Sequence, residues 1–176
     1  DRGDDRSVSS RYVSPEMTGI EDLDRYGYWQ DNPEYGALWV PRTVGPGWAP
    51  YTTGRWAWVA PWGWTWIDEA PWGFAPFHYG RWVYVGSSWC WAPGTVWGPS
   101  WVTWRYTDYH CGWAPLPPAA CYQPGFGFTY YGNGVSASFG FGLGASCYSF
   151  VPVQHFRHHN LAPYAVAPHQ SHQRGP

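Results

Sequence analysis

Paired tryptophans recur along the first two thirds of the chain and constrain its fold more than any other feature. The two tryptophans of a pair lie nine or ten residues apart, and successive units start 27, 26 and 22 residues from one another. The four pairs are Trp29/Trp39, Trp56/Trp66, Trp82/Trp91 and Trp104/Trp113. Gly-Arg-Trp opens both the second and the third unit. Such a spacing indicates tandem copies of one supersecondary unit.

Each unit has the pattern of an antiparallel β-hairpin. In the third unit, pairing Trp82 with Trp91 leaves Gly86 and Ser87 as a two-residue turn, and such turns favour glycine at the first position. In the second unit a further pair, Trp58 and Trp64, lies closer to the turn. Because side chains alternate across a strand, the rings form a row on one face. The predicted structural aromatic row comprises Trp29, Trp39, Trp56, Trp58, Trp64, Trp66, Trp82, Trp91, Trp104 and Trp113.

The turns and the opposite face complete the hairpin prediction. In the first unit residues 31–36 are expected to form a longer loop, and in the fourth unit Asp108 and Tyr109 lie at the turn. The face opposite the ring row is predicted to carry small or β-branched side chains and one cysteine: Ala57, Val59, Thr65, Ile67, Val83, Val85 and Cys90.

Few aliphatic side chains are available to fill a core. The chain holds 16 Trp, 14 Tyr and 8 Phe but only five Leu and two Ile, so aromatic rings and valines must form the core. The 22 Gly and 18 Pro residues disfavour long helices. A single hairpin is marginal in water, so the units must share a core. We therefore expect an all-β fold of about four tandem hairpins that form a hairpin solenoid, a sandwich or a barrel.

After the repeats the sequence becomes rich in glycine. Two strands are predicted at residues 126–131 and 135–139, around a Gly-Asn-Gly turn at residues 132–134. Phe150-Val151-Pro152 resembles half of a fifth unit. The predicted organisation is an extended N-terminal segment (1–18), the aromatic hairpin-repeat domain (19–118), the Gly-rich hairpin with a return segment packed on that domain (119–162) and an extended His/Pro/Gln tail (163–176).

The cysteines favour an oxidising compartment. Four cysteines in a chain rich in Gly and Pro are typical of disulfide-containing proteins, and no CxxC spacing indicates zinc. Cys121 and Cys147 flank the Gly-rich hairpin and could bridge its base, which leaves Cys90 with Cys111. Strand parity places Cys90 opposite the ring row and Cys111 on it, which opposes this second pairing.

The start of the chain and its hydropathy also indicate export. The chain begins at Asp1 rather than at methionine, as a processed protein would. No apolar run approaches the roughly 20 residues that a membrane helix requires. We therefore expect an extracytoplasmic location, which is the periplasm, the outer surface or the extracellular space, and no transmembrane segment.

Charge is distributed very unevenly along the sequence. Nine of the twelve acidic residues lie in the first 34 positions, none follows Asp108, and all ten basic residues are arginine. A net charge of −2 gives no basic surface for nucleic acid. The C-terminal third carries little charge to keep it apart from neighbouring molecules, which favours assembly or attachment to a polymer.

Several long aromatic stretches are similar to a known family. They are residues 21–29 (Glu-Asp-Leu-Asp-Arg-Tyr-Gly-Tyr-Trp), 61–66 (Pro-Trp-Gly-Trp-Thr-Trp), 71–79 (Pro-Trp-Gly-Phe-Ala-Pro-Phe-His-Tyr) and 80–82 (Gly-Arg-Trp). With these stretches the chain resembles the DUF6600 family of bacterial exported proteins over roughly residues 15–118. The resemblance implies a secreted or envelope protein of Gram-negative bacteria. Because the family's function is unknown, it implies no catalytic residue.

Rings in turns and loops are the candidates for contact with a ligand or partner, because hairpin geometry leaves them freer than paired rings. These candidates are Trp62, Trp72 and Tyr79. Arg55 and Arg81 recur at one repeat position and are expected to stack on rings of the preceding repeat. Binding of anionic glycan or lipid headgroups is the alternative role for these two arginines.

Catalytic and metal-binding patterns are missing from the sequence. Beyond position 34 the only carboxylates are Asp68, Glu69 and Asp108, and the two adjacent ones should point to opposite faces of a strand. No nucleophile or phosphate-loop motif occurs. The C-terminal histidines have no spacing of a dedicated metal site; they are His155, His158, His159, His169 and His172. We predict no catalytic residue, no cofactor and no metal site.

Two functions fit this combination of features. The first is a non-enzymatic structural or scaffolding protein of the bacterial envelope or extracellular matrix, acting through self-assembly or contact with other envelope protein subunits. The alternative is a carbohydrate-binding module that stacks sugars of a polysaccharide on exposed Trp and Tyr. Flat patches of exposed rings would favour assembly, whereas rings in a groove with polar neighbours would favour sugar binding.

Overall fold

The computed structural model describes residues 8–14, 17–123, 126–136 and 139–157. Within these residues the fold is mostly β, with twelve strands in four small antiparallel sheets. The strands are β1 (Gly27–Asn32), β2 (Gly36–Pro41), β3 (Gly54–Val59), β4 (Gly63–Asp68), β5 (Arg81–Val85), β6 (Ser88–Ala92), β7 (Val102–Tyr106), β8 (His110–Pro115), β9 (Ala120–Gln123), β10 (Gly127–Tyr130), β11 (Asn133–Gly134) and β12 (Ser149–Pro152). The helical segments are α1 (Ile20–Tyr26), α2 (Phe74–His78) and single 3₁₀ turns at Ser9–Arg11, Ala145–Cys147 and Val153–His155.

The predicted tryptophan pairs are cross-strand neighbours in four hairpins. The pairs in register are Trp29 with Trp39, Trp56 with Trp66, Trp82 with Trp91 and Trp104 with Trp113. In the third hairpin the turn residues Gly86 and Ser87 have φ of 56° and 73°. Two successive positive φ angles match the twist of the flanking strands and allow a two-residue turn. These pairings confirm the cross-strand register that the sequence predicts.

The first hairpin has a tighter loop than predicted. Asn32 lies opposite Gly36, so the loop comprises residues 33–35 rather than 31–36. The Asn32 side-chain oxygen accepts hydrogen bonds from the backbone N–H groups of Glu34 and Tyr35. In such a turn the side-chain oxygen satisfies backbone N–H groups of the loop, so strands β1 and β2 can extend closer to the turn.

The hairpins do not stack in sequence order. The first and third hairpins join through Trp39 opposite Trp91, which gives a four-stranded sheet of order β1-β2-β6-β5. The second hairpin remains a two-stranded sheet, and β12 pairs with β8 to extend the fourth. The expected half unit at Phe150-Val151-Pro152 therefore serves as a third strand of that sheet. The described strands form neither a closed barrel nor a solenoid, which corrects these two predicted arrangements.

Rings from all four hairpins meet in one core. Six of the row tryptophans are buried there: Trp39, Trp56, Trp66, Trp82, Trp91 and Trp113. On the opposite face of the third hairpin, Val83 and Cys90 pack with Leu38 and Val40 in a separate cluster. The predicted alternation of faces in this hairpin is therefore confirmed.

The short helix α2 supplies acceptors for the ring donors of the core. The last carbonyls of a helix have no partner within it. Here Pro76 O accepts from Trp82 Nε1, His78 O from Trp101 Nε1, and the adjoining Tyr79 O from Trp91 Nε1, at 2.7–2.9 Å. A core built from indoles needs such acceptors because each buried N–H must be paired. Among the buried side chains that the structure describes, only the indole nitrogens of Trp56 and Trp89 lack a partner.

The two ends of the described chain differ from prediction. Within the segment expected to be extended, Ser9–Arg11 form a 3₁₀ turn, and buried Ser9 hydrogen-bonds Asp24. In the Gly-rich region the turn lies at Tyr131 and Gly132, and β10 also pairs with β9, a strand that the sequence did not predict. The predicted tail at 163–176 lies outside the described residues.

Candidate aromatic contact surface and Arg81

The tip of the second hairpin projects rings beyond the core. Trp56 and Trp66 pair at its base and are buried, whereas Trp58, one pair further out on the same face, is 66% exposed. Its ring contacts Trp64 edge to face at 5.4 Å. The β3–β4 sheet has only these two strands, so no further strand covers its outer end. Trp58 was predicted to belong with the buried rows, and its exposure corrects that expectation.

A continuous line of rings runs from Trp58 to the fourth hairpin. Trp64 meets Phe156 at 4.9 Å, Phe156 meets Trp104 at 5.9 Å, and Trp104 stacks on Tyr106 at 6.4 Å between centroids. Tyr106 at the far end is 70% exposed. We call these five residues, Trp58, Trp64, Phe156, Trp104 and Tyr106, the aromatic strip. The line crosses from one sheet to another, so strand periodicity could not identify it.

One formal charge lies against the aromatic strip. The Arg157 guanidinium lies over the Trp64 ring, 5.4 Å from its centroid. Beside it, a cavity of about 310 Å³ is lined by Trp64, Tyr106, Cys111, Val153, Gln154, Phe156 and Arg157. Among the described residues the surface is therefore mostly apolar, with Arg157 as the cation stacked on it, which suits contact with another apolar or aromatic surface.

The predicted turn ring Trp62 is available for contact. It is 55% exposed and packs edge to face on Trp97 at 5.0 Å. Trp97 in turn stacks on His78, whose Nδ1 lies 2.8 Å from Gly98 O. Burial lowers the pKa of His78, so the neutral imidazole donates through Nδ1. Trp62 and Trp97 thus rest on a fixed base, and Trp97 is a surface ring that the repeat pattern did not reveal.

The other two predicted contact rings are placed differently. Trp72 is only 2% exposed and packs on Trp39 and Phe77 in the core. The expectation that its loop position leaves it free is wrong, because the loop folds back under the first sheet. Tyr79 is half-buried, packs against the same core and offers its carbonyl to Trp91.

The two repeated arginines have different environments. Arg81 lies over the Trp101 ring at 4.3 Å, so it stacks on a ring that follows its hairpin rather than on one of the preceding repeat. Its Nε donates to Ala120 O and one terminal nitrogen donates to Gly80 O. Arg55 is half-buried in β3, and none of the cation–π contacts among the described residues involves it.

No disulfide joins any of the four cysteines, so the predicted disulfides are not formed. Cys90, Cys111 and Cys147 are buried, and Cys121 is exposed. Burial raises the pKa of the Cys90 and Cys111 thiols to about 11, so both stay protonated near neutral pH. Cys147 belongs to a cluster around Trp101 and Tyr148, away from the valine cluster that holds Cys90.

The carboxylates are placed differently from the strand prediction. Strand β4 ends at Asp68, so alternation stops there, and Asp68 and Glu69 line the same cavity of about 430 Å³. Burial raises the pKa of Asp68 to about 7, although its oxygens accept from Trp66 Nε1 and Ala70 N. Among the residues that the structure describes, no group of three or more His, Cys, Asp or Glu could hold a metal ion.

Fold and surface together define a small, tryptophan-rich β-protein with an indole core and a line of rings that is exposed at its two ends. The chain belongs to DUF6600, a family of unknown function, whose model matches residues 20–120. No curated protein and no solved structure matches it. In the part of the chain that the structure describes, no helix is long and apolar enough to span a membrane.

Proposed function

We propose that this protein is a non-enzymatic structural or scaffolding protein of the bacterial envelope or extracellular matrix. It acts by assembling with further copies of itself through the aromatic strip. The observation that carries this proposal is the run of touching rings from Trp58 to Tyr106, exposed at both ends by 66% and 70%. Its four tryptophan hairpins are copies of one repeat whose second copy is specialised for contact.

The charge distribution supports self-association. Between Tyr109 and Arg157 the only charged side chain other than histidine is Arg157 itself. The segment around Phe156 therefore adds little like-charge repulsion when two strips approach each other. Exposed aromatic side chains also bury large areas at low entropic cost, as at many protein interfaces.

The proposed extracytoplasmic location is supported by the amino-acid composition. It is also supported by the resemblance of roughly residues 15–118 to a family of exported proteins. The cysteines no longer support it, because no disulfide joins them. Fractionation of the source cells tests the location directly. Recovery of the chain only from the cytoplasmic fraction would overturn this part of the proposal.

Sedimentation velocity over a wide concentration range tests the assembly. We expect the wild-type chain to form larger species as its concentration rises. Replacing both ends of the strip, Trp58→Ser with Tyr106→Ser, should raise the concentration needed by more than tenfold. Tyr109→Ser is the matched control, because Tyr109 is 77% exposed and lies outside the strip. A monomer at every concentration, or equal loss in the control, would contradict the proposal.

Sugar stacking is the second candidate, favoured by the exposed indoles of Trp58 and Trp62 on one rigid hairpin. An indole face packs well against the C–H face of a sugar ring. A pull-down on peptidoglycan and exopolysaccharide, followed by tryptophan fluorescence, distinguishes the two functions. Sugar binding is favoured over assembly if the chain stays monomeric and binds the polysaccharide, and if Trp58→Ser and Trp62→Ser abolish this binding.

A further inference from the structure

A cleft of about 460 Å³ lies at the junction of β5, β9 and the loop between β1 and β2. The residues that matter for its chemistry are Glu34, Tyr35, Arg81, Trp101, Cys121 and Tyr122. It shares no lining residue with the aromatic strip. Its walls come from segments far apart in sequence, which is why the repeat pattern does not reveal it.

Arg81 carries a positive charge into this cleft, and no carboxylate of the described residues accepts a hydrogen bond from its guanidinium. Two of its nitrogens donate to backbone carbonyls, and no described residue accepts from the third, Nη2. Burial lowers the pKa of the guanidinium, and the titratable groups that counter this shift are the Tyr51 hydroxyl and the Cys121 thiol rather than a carboxylate. A partly desolvated cation is stabilised strongly when an anion binds it.

The position of the Arg81 side chain is fixed before any ligand arrives. The bonds to Ala120 and Gly80 and the stacking on Trp101 hold the guanidinium plane in one orientation. A cation held in this way loses little further entropy when it binds an anion, which favours affinity.

Aromatic side chains form the rest of the cleft wall. Tyr122 is 40% exposed and is held by ring contacts with Trp101 at 6.4 Å and Phe128 at 5.0 Å. Tyr35 lies half-buried on the facing rim, next to Glu34. Ring faces beside a fixed cation suit a ligand that has a flat apolar side and one acidic group. A sugar ring carrying a carboxylate has both properties.

We propose that the Arg81 cleft binds the carboxylate of an acidic sugar unit, such as a uronate in a polysaccharide. Arg81 holds the carboxylate through Nη2 and its charge, and Tyr122 packs on the sugar ring. Glu34 limits the cleft to one acidic unit of the polymer at a time, because a second carboxylate inside the cleft would be repelled. This site goes beyond assembly through the aromatic strip and does not depend on it.

Isothermal titration with tri-galacturonate tests the site, with its methyl ester as a neutral probe of the same shape. The acid should bind, the ester should bind at least tenfold more weakly, and added salt should weaken binding of the acid. Arg81→Gln should reduce affinity for the acid at least tenfold. Arg55→Gln is the matched control, because Arg55 holds the same repeat position but does not line this cleft, and it should leave the affinity unchanged.

Glu34→Gln keeps the test decisive if Arg81→Gln fails to fold. Glu34 is exposed in a loop, and its neutralisation should strengthen tri-galacturonate binding about twofold to threefold by removing a like charge. Weaker binding in Glu34→Gln, or equal binding of acid and ester, would overturn the carboxylate role. Equal affinity for a short peptide with a free C-terminal carboxylate would overturn the assignment to a sugar.

Discussion

The second and third hairpins start with the same Gly-Arg-Trp sequence, yet their outer ring pairs differ in burial. In the third hairpin the outer pair is Tyr84 with Trp89, and Trp89 is buried against the core. In the second hairpin the outer pair is Trp58 with Trp64, and Trp58 is 66% exposed. Local sequence therefore determines the pairing of rings but does not determine their burial.

The neighbours of each hairpin account for this difference. Strand β6 of the third hairpin pairs with β2. Residues 44–48, in the loop that follows β2, line a cavity together with Trp89. The second hairpin buries only its base pair in the core, with Trp64 packed half-buried against it, and has no third strand. The third hairpin is thus enclosed by its neighbours, while the second keeps Trp58 exposed.

The largest expected effect comes from the inner pair of the third hairpin. Trp82→Ala removes a fully buried indole and its hydrogen bond to Pro76 O, and leaves a large cavity. We expect the free energy of unfolding to fall by about 3–5 kcal/mol. Urea denaturation followed by circular dichroism measures the change. A loss below about 1 kcal/mol would show that this hairpin is not structural.

The pairing of the tryptophans could be predicted because it depends on two local quantities, strand alternation and turn length. Trp82 opposite Trp91 follows from Gly86 and Ser87 at the turn. The cross-strand pairing of Trp39 with Trp91 could not be predicted, because it joins strands of repeats that are not adjacent in the sequence. Packing between distant segments decides such contacts.

For the candidate contact residues, too, local sequence predicts only what does not depend on packing between distant segments. Trp62 could be predicted as an available ring because it lies in a turn. Trp72 also lies in a loop, but its burial depends on the first sheet covering it, as its contact with Trp39 shows. The placement of Arg81 over Trp101 depends on the path of the chain after β6, for which the repeat has no counterpart.

A second effect concerns the base of the second hairpin, at Asp68. Its pKa is raised from 3.8 to about 7, so the native state keeps a proton that the unfolded state loses. The free energy of unfolding should therefore fall as pH rises from about 4 to 7, by up to about 1.4 kcal/mol per pH unit. Asp68→Asn should flatten this slope.

Urea denaturation at several pH values measures this slope in both chains. Glu69→Gln is the neighbouring control, because its side chain is exposed. Should Asp68→Asn retain the full slope of the wild-type chain, the carboxyl of Asp68 would not be its source.

A smaller effect is expected where α2 meets the core. The buried hydroxyl of Tyr51 donates to Phe77 O and accepts from Trp101 N. Tyr51→Phe leaves both backbone groups without this partner, so the free energy of unfolding should fall by about 1–3 kcal/mol. Tyr109→Phe, at an exposed turn, should change it by less than about 0.5 kcal/mol. Equal values for the two variants would show that the Tyr51 bonds do not stabilise the core.

The smallest effect on stability is expected at the outer pair of the second hairpin, and it sharpens the comparison most. Trp58→Ala removes an exposed ring whose ring contact within the chain is with Trp64, so the free energy of unfolding should fall by less than about 1 kcal/mol. Trp89→Ala, in the outer pair of the third hairpin but on its second strand, should cost several times more because Trp89 is buried. Urea denaturation of both variants at low protein concentration, where assembly does not contribute, gives the ratio. Equal losses in the free energy of unfolding would show that Trp58 stabilises the fold as much as Trp89 does. The exposure of Trp58 would then not support a role in contact with another molecule.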